Sequence, residues 1–320
     1  MPNTILNIFE KDTAVKVHYT RHSRFQYLDE VPDAVVNGEI NWDVLQQRYG
    51  TGREGGVYIG FESDGSPKLD ESPPWKELCV GSRNPLIISR DDRTLVDLQG
   101  YPLDSYTIQA QRRRKISLVL EFMENAVQGL LVRDGQFLLG IRGGMDQPQK
   151  VNVIPGGSVS YHSQRWDPFQ AALCAEAQEE AGATVQRCSL RGIFVQDGVH
   201  LNRQWVYVAR PEEELDALIA KHQVAYGVYA QMKKESGSEL RARRILNERG
   251  MPVDAWENTS LVALPYTQDT LLRLISDQYL VVNDVRVPFI GTLAITLCIA
   301  GCTEFGGEFR KEVEKFLGKR

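Results

Sequence analysis

The sequence predicts an α/β protein in which a mixed sheet carries one well-marked helix, preceded by a smaller mixed α/β or β-rich module. Three observations point there. Two apolar runs flank Asp134-Gly135, the pair most favoured in a two-residue hairpin turn. A short strand ends in the break Pro155-Gly156-Gly157, and an Ala-rich segment follows that closes at Gly182. Further β-type runs then alternate with stretches of helix-forming composition.

Turn signals divide the chain into residues 1–115 and 116–320. The first part holds the short β-rich runs "AVKVHY", "GGVYIGF" and "NPLIIS", separated by turns such as "ESDGSPKLDESPPW". Its "YGTGREGG" lacks the Gly-Lys-Ser/Thr ending of a phosphate loop and reads as a turn before a strand. The basic run at 112–115 reads as a solvated linker.

In the second part, "NAVQGLLVRDGQFLLGIR" predicts a strand, a tight turn and a second strand, and "VNVIPGG" a third strand. "LRGIFVQDG", "RQWVYVAR" and "TSLVALP" predict three more. Residues 211–250 have helical composition with apolar residues three to four apart, so a helical insertion is expected there. Helical segments after Pro265, "TQDTLLRLISD" and "EFRKEVEKFLGKR", form a C-terminal extension. The apolar run 289–300 is too short to cross a bilayer and reads as a buried helix or strand.

Composition excludes several classes of function. A formal net charge of -5 argues against binding a nucleic-acid polymer, which needs an excess of Lys and Arg to displace counterions. Five cysteines without a CxxC pair indicate neither a disulfide framework nor a zinc site, and reduced thiols in a cytoplasm fit best. The opening "MPNTILNIFEKDTAVKV" has no secretion signal, and no membrane association is expected.

The chemistry concentrates in "AEAQEEAGA". At about 100° per residue, Glu176, Glu179 and Glu180 share one helical arc about 100° wide. Ala171, Cys174, Ala177, Gln178 and Ala181 are predicted to pack on the opposite side, with Gly182 as the C-terminal cap. Carboxylates that converge without Lys or Arg partners make a site for a hard divalent cation, Mg²⁺ or Mn²⁺.

These residues resemble the signature of the Nudix hydrolases, G-x5-E-x7-R-E-U-x-E-E-x-G-U with U aliphatic. The match falls on Glu176, Glu179, Glu180 and Gly182, with Ala177 and Ala183 at the aliphatic positions and "VIPGG" at the family's strand break. Two positions depart from it: Asp167 stands for the first Glu, after a four-residue insertion, and Ala175 stands for the Arg. The resemblance covers residues 118–275. It implies a Nudix-type α/β/α sandwich and a pyrophosphohydrolase that cleaves a nucleoside diphosphate linked to another moiety. ADP-ribose-like compounds, dinucleotides, nucleotide sugars and nucleoside triphosphates are the substrate classes.

On that resemblance Glu176, Glu179 and Glu180 bind Mg²⁺ or Mn²⁺, and a carboxylate accepts the proton of the attacking water. Glu257, just before a predicted strand, is the first candidate for that base and Asp197 the second. Gly156 and Gly157 shape the loop, Arg142 is a candidate for phosphate contact, and Trp166 in the insertion for stacking on a base. Trp205 and Tyr207, alternating in a strand, are expected in the core. The expected partner is a small nucleotide, and a homodimer is an open alternative to a monomer. A Nudix-fold module that binds nucleotide without hydrolysing it is the competing reading, favoured by the changes at Asp167 and Ala175.

Overall fold

The computed structural model describes residues 4–21, 58–61, 67–69, 79–90, 92–103, 123–143, 148–160, 167–196 and 202–317. "YGTGREGG", the basic run at 112–115, Trp166 and Asp197 lie outside these.

Alternating and β-branched runs form the early strands β1 (Thr4–Ile8), β2 (Ala14–Arg21), β3 (Tyr58–Phe61) and β4 (Pro67–Leu69). They are followed by β5 (Cys79–Ser82), β6 (Leu86–Arg90) and β7 (Arg93–Leu103). The hairpin expected at Asp134-Gly135 joins β8 (Met123–Arg133) to β9 (Gln136–Arg142). Both turn residues have positive φ, 48° and 74°, as a type I′ turn requires. β10 (Val151–Val153) and β11 (Gly156–Ser158) flank the Pro155 break. Helix α1 (Pro168–Glu176) then runs directly into a π-helical turn, Ala177–Ala181.

Beyond it come β12 (Val185–Gln196), β13 (Asn202–Pro211), α2 (Leu215–Ser236) and α3 (Glu239–Glu248), the last two filling the expected helical insertion. A short 3₁₀ turn, Ala255–Glu257, precedes β14 (Asn258–Pro265) and α4 (Gln268–Asp277). The hairpin of β15 (Tyr279–Val282) and β16 (Val285–Pro288) leads into α5 (Leu293–Leu317). Helix α4 is the first of the expected C-terminal helical segments, and α5 joins most of the apolar run at 289–300 to the second; α5 kinks at Gly306, whose φ of 73° is not helical.

The fold is therefore mixed α/β, built on a 12-stranded sheet whose main path runs β1-β12-β13-β8-β5-β7-β2. β13 lies parallel to β8, and β9 pairs with β10 and β14. Across the described residues β1 pairs with β12, and β5 pairs with both β7 and β8. Strands β1, β2, β5, β6 and β7 thus belong to the same sheet as β8, β12 and β13, whereas β3 and β4 form a two-stranded sheet of their own.

Successive side chains on β8 point to opposite faces, and each face has its own core. Val127 and Leu131 pack with Phe169 and Leu173 of α1, and Trp205 of β13 stacks on Phe169 with ring centroids 4.0 Å apart. Leu130 joins Leu293, Leu297 and Phe309 of α5 on the other side. Trp205 and Tyr207 are buried, as their alternation suggests. All five cysteines are free. Among the described residues no helix is long and apolar enough to cross a membrane.

Candidate active site

The site begins at the N-terminus of α1. Asp167 is its N-cap: Oδ1 accepts hydrogen bonds from the backbone N–H groups of Phe169 and Gln170 at 3.1 and 3.0 Å. Pro168 sits where a missing N–H costs nothing. The carboxylate at the first variant position is thus committed to starting the helix. Ala175, at the second variant position, is exposed.

After Glu176 the helix widens into the π turn, and it closes at Gly182 in the left-handed conformation, φ 68°. The wider turn changes the rotation per residue and corrects the simple helical arc. Glu180 is turned inward and is 1% exposed, Glu176 is half-buried, and Glu179 faces outward. Gln178, expected on the packing side, is exposed, whereas Ala177 and Ala181 are buried.

Close packing against the Pro155 break explains where the two inner carboxylates point. The N–H of Gly156 donates to Glu180 Oε1 at 3.2 Å. Gly157 lies so close to the Glu176 carboxylate that a Cβ there would overlap it. Both glycines belong to β11, which pairs with β8 through Gly156↔Gln128 and Gly157↔Val127.

Two further residues arrive from the end of β9 and from the 3₁₀ turn before β14. Arg142 ends β9 and pairs in register with Asn258, so Glu257 is carried to the same edge. Arg142 Nη2 lies 3.7 Å from Glu257 Oε2, and the N–H of Gly143 donates to the Glu257 carbonyl at 2.8 Å.

The electrostatics are those of crowded carboxylates. Burial raises the Glu180 carboxyl well above its usual range, and the charges of Glu257 and Glu176 raise it further; the Gly156 N–H and Arg142 act in the opposite sense. Burial likewise raises Glu176, with Glu179, Glu257 and Asp254 adding to it in that order. Oε2 of Glu180 is buried and has no hydrogen-bond partner.

As placed, no group of three or more His, Cys, Asp and Glu among the described residues is arranged to hold a metal ion. What the structure brings together is Glu176, Glu180, Glu257, Arg142, Gly156 and Gly157, with Glu179 at the outer rim. Asp254, whose charge reaches Glu176, was not anticipated from the sequence, because nothing local in "PVDAWEN" ties it to a helix some 75 residues earlier.

Fold and site together define a mixed α/β protein with a carboxylate cluster where a strand break meets a helix. No family model matches the chain, and no curated protein does. The solved structures to which it is similar include Nudix hydrolases. A MutT NUDIX hydrolase from Burkholderia pseudomallei is 25% identical over 28% of this chain and 70% of its own, with a TM-score of 0.25. The Bacillus subtilis pyrophosphohydrolase BsRppH is 15% identical over 58% of this chain and 85% of its own, with a TM-score of 0.33. A NUDIX hydrolase from Nitrosomonas europaea is 17% identical over 28% and 60%, with a TM-score of 0.25.

Proposed function

We propose that the protein is a divalent-metal-dependent pyrophosphohydrolase of Nudix type, acting on a nucleoside diphosphate linked to another moiety. One observation carries this reading: Glu176, Glu180 and Glu257 converge beside Gly156-Gly157, and Glu180 keeps a buried oxygen with no partner. Such crowding is costly in a folded chain unless a cation relieves it.

Hard carboxylate oxygens suit Mg²⁺ or Mn²⁺, and Glu176, Glu179 and Glu180 would hold the ion. When bound, it supplies charge neutralisation for phosphate oxygens and a lowered pKa for water. The chain's own residues do the rest. Glu257 accepts the proton of the attacking water, and Arg142 beside it both orients that carboxylate and offers a cation to a phosphate. Gly156 and Gly157 shape the loop at the carboxylates: the first donates its N–H to Glu180, and the second leaves the space that the Glu176 carboxylate fills. Trp166 stacks on the base, the partner is a small nucleotide, and the reaction takes place in the cytoplasm.

The test is turnover of ADP-ribose, NADH, a diadenosine polyphosphate, a nucleotide sugar and the nucleoside triphosphates, with Mg²⁺ and with Mn²⁺. Glu179→Gln and Glu180→Gln proteins serve as controls. Turnover abolished by both substitutions supports the hydrolase. Binding of one compound by folded wild-type protein without turnover would replace it with the non-hydrolytic nucleotide-binding module, with Asp167 spent as a helix cap and Ala175 in place of Arg as the reason. A melting temperature that neither metal raises would count against both readings.

A further inference from the structure

Glu257 belongs to a 3₁₀ turn of three residues with no side-chain cap, an element too short to hold a carboxylate in place by itself. Its backbone is tied at three points. The N–H of Glu257 donates to the Asp254 carbonyl at 2.9 Å, and its carbonyl accepts from Gly143 at 2.8 Å. The N–H of Asp254 donates to the carbonyl of Glu179 at 2.9 Å, which joins this turn to the π turn carrying the other carboxylates.

Side chains complete the attachment. Asp254 Oδ1 accepts from Arg243 Nη2 at 2.6 Å and from Trp256 Nε1 at 2.9 Å. The Arg243 guanidinium also lies 5.6 Å from the centre of the Trp256 ring, whose other neighbour is Tyr229 of α2, 6.3 Å away. Asp254 is 13% exposed and Arg243 27%, so this pair is shielded more than a surface ion pair. Helix α2 also grips the opposite end of the site, where Lys221 Nζ donates to the Gly182 carbonyl at 2.8 Å.

We infer that the α2–α3 hairpin is the positioning element of the site, and that Arg243 and Asp254 are positioning residues that hold Glu257 at the carboxylate cluster. They act through the 254–257 turn and touch neither substrate nor reacting atoms. Arg243 has a second effect. It places a positive charge on Asp254, whose negative charge would otherwise add uncompensated to the field at Glu176. Glu179 and Glu257 are thereby linked through one backbone hydrogen bond and one clamped turn. The inference rests on the reading of Glu257 as the proton acceptor, and its test separates the two.

Arg243→Ala, Arg243→Lys and Trp256→Phe proteins are compared with wild type by hydrogen exchange of peptides covering 252–258 and by steady-state kinetics on whichever pyrophosphate compound is turned over. Arg243→Ala is expected to lose protection at 252–258 but not in β13, and to lower kcat roughly 10- to 100-fold while KM moves less than about 3-fold. Arg243→Lys keeps a cation for Asp254 and is expected to recover most of both. If Arg243→Ala does not fold, Trp256→Phe, which removes one bond to Asp254, is expected to show the same pattern in weaker form. Unchanged protection at 252–258 overturns the inference, and so does lost protection with unchanged kcat. If wild type turns over nothing, the hydrolase reading fails on its own, and exchange alone decides whether the clamp exists.

Discussion

A Cβ on Gly157 would stand 1.8 Å from Oε1 of Glu176 and 2.2 Å from its Cδ. The glycine and the glutamate are therefore one packing unit, in which the absent side chain is the space the carboxylate occupies. Gly157→Ala must displace Glu176, because the clash involves the whole carboxyl group of a helix-anchored residue. Turnover is expected to fall on the order of 100-fold with little change in melting temperature, since geometry rather than burial is lost. Activity within about 2-fold of wild type would show that the Glu176 position is not used.

Glu180 is held against its own electrostatic preference, 1% exposed and beside Glu176 and Glu257. Glu180→Gln removes that repulsion, and in EDTA the variant is expected to be more stable than wild type by about 1–2 kcal/mol while hydrolysis disappears. Urea unfolding with and without Mn²⁺ checks this. A variant less stable than wild type in EDTA would mean the buried charge is not the liability described.

Asp167 accepts two backbone hydrogen bonds at the start of α1. Asp167→Ala is expected to cost about 1 kcal/mol of stability, and Asp167→Asn much less, with kcat in both within about 3-fold of wild type. A large loss of kcat in a stably folded Asp167→Asn protein would give this carboxylate a part in the chemistry.

His222 in α2 is fully buried. Burial pushes its imidazole down to about 4, offset in part by the nearby Ala255 backbone. The sign follows from proton binding. Above about pH 6.5 both folded and unfolded states hold the ring neutral, whereas between about 6.5 and about 4 the unfolded chain takes up a proton that the folded chain refuses. Stability therefore falls as pH drops through this window, by about 3 kcal/mol in total from His222. His222→Phe is expected to flatten the decline; an equally steep one would place its origin elsewhere.

Much of the fold was legible because its signals are local. Asp134-Gly135, the Pro155-Gly156-Gly157 break and the glycine at 182 each dictate backbone geometry within a few residues. The β15–β16 hairpin carries the same kind of signal in Asn283-Asp284, both at positive φ, but it lies between two helical patterns whose periodicity dominates the stretch. The path of the sheet was not legible, since pairings such as β1 with β12 join residues nearly two hundred positions apart.

By itself, then, the sequence determined the residue types of the site and the helix that carries them, because spacing along one helix is set by the chain. Tertiary structure alone decided which of those carboxylates turn inward. The π turn rotates Glu180 into the protein, the Gly157 contact seats Glu176, and the pairing of β9 with β14 delivers Arg142 and Glu257. A charge's cost depends on burial and on neighbours distant in sequence, and neither exists until the sheet has closed against the helix.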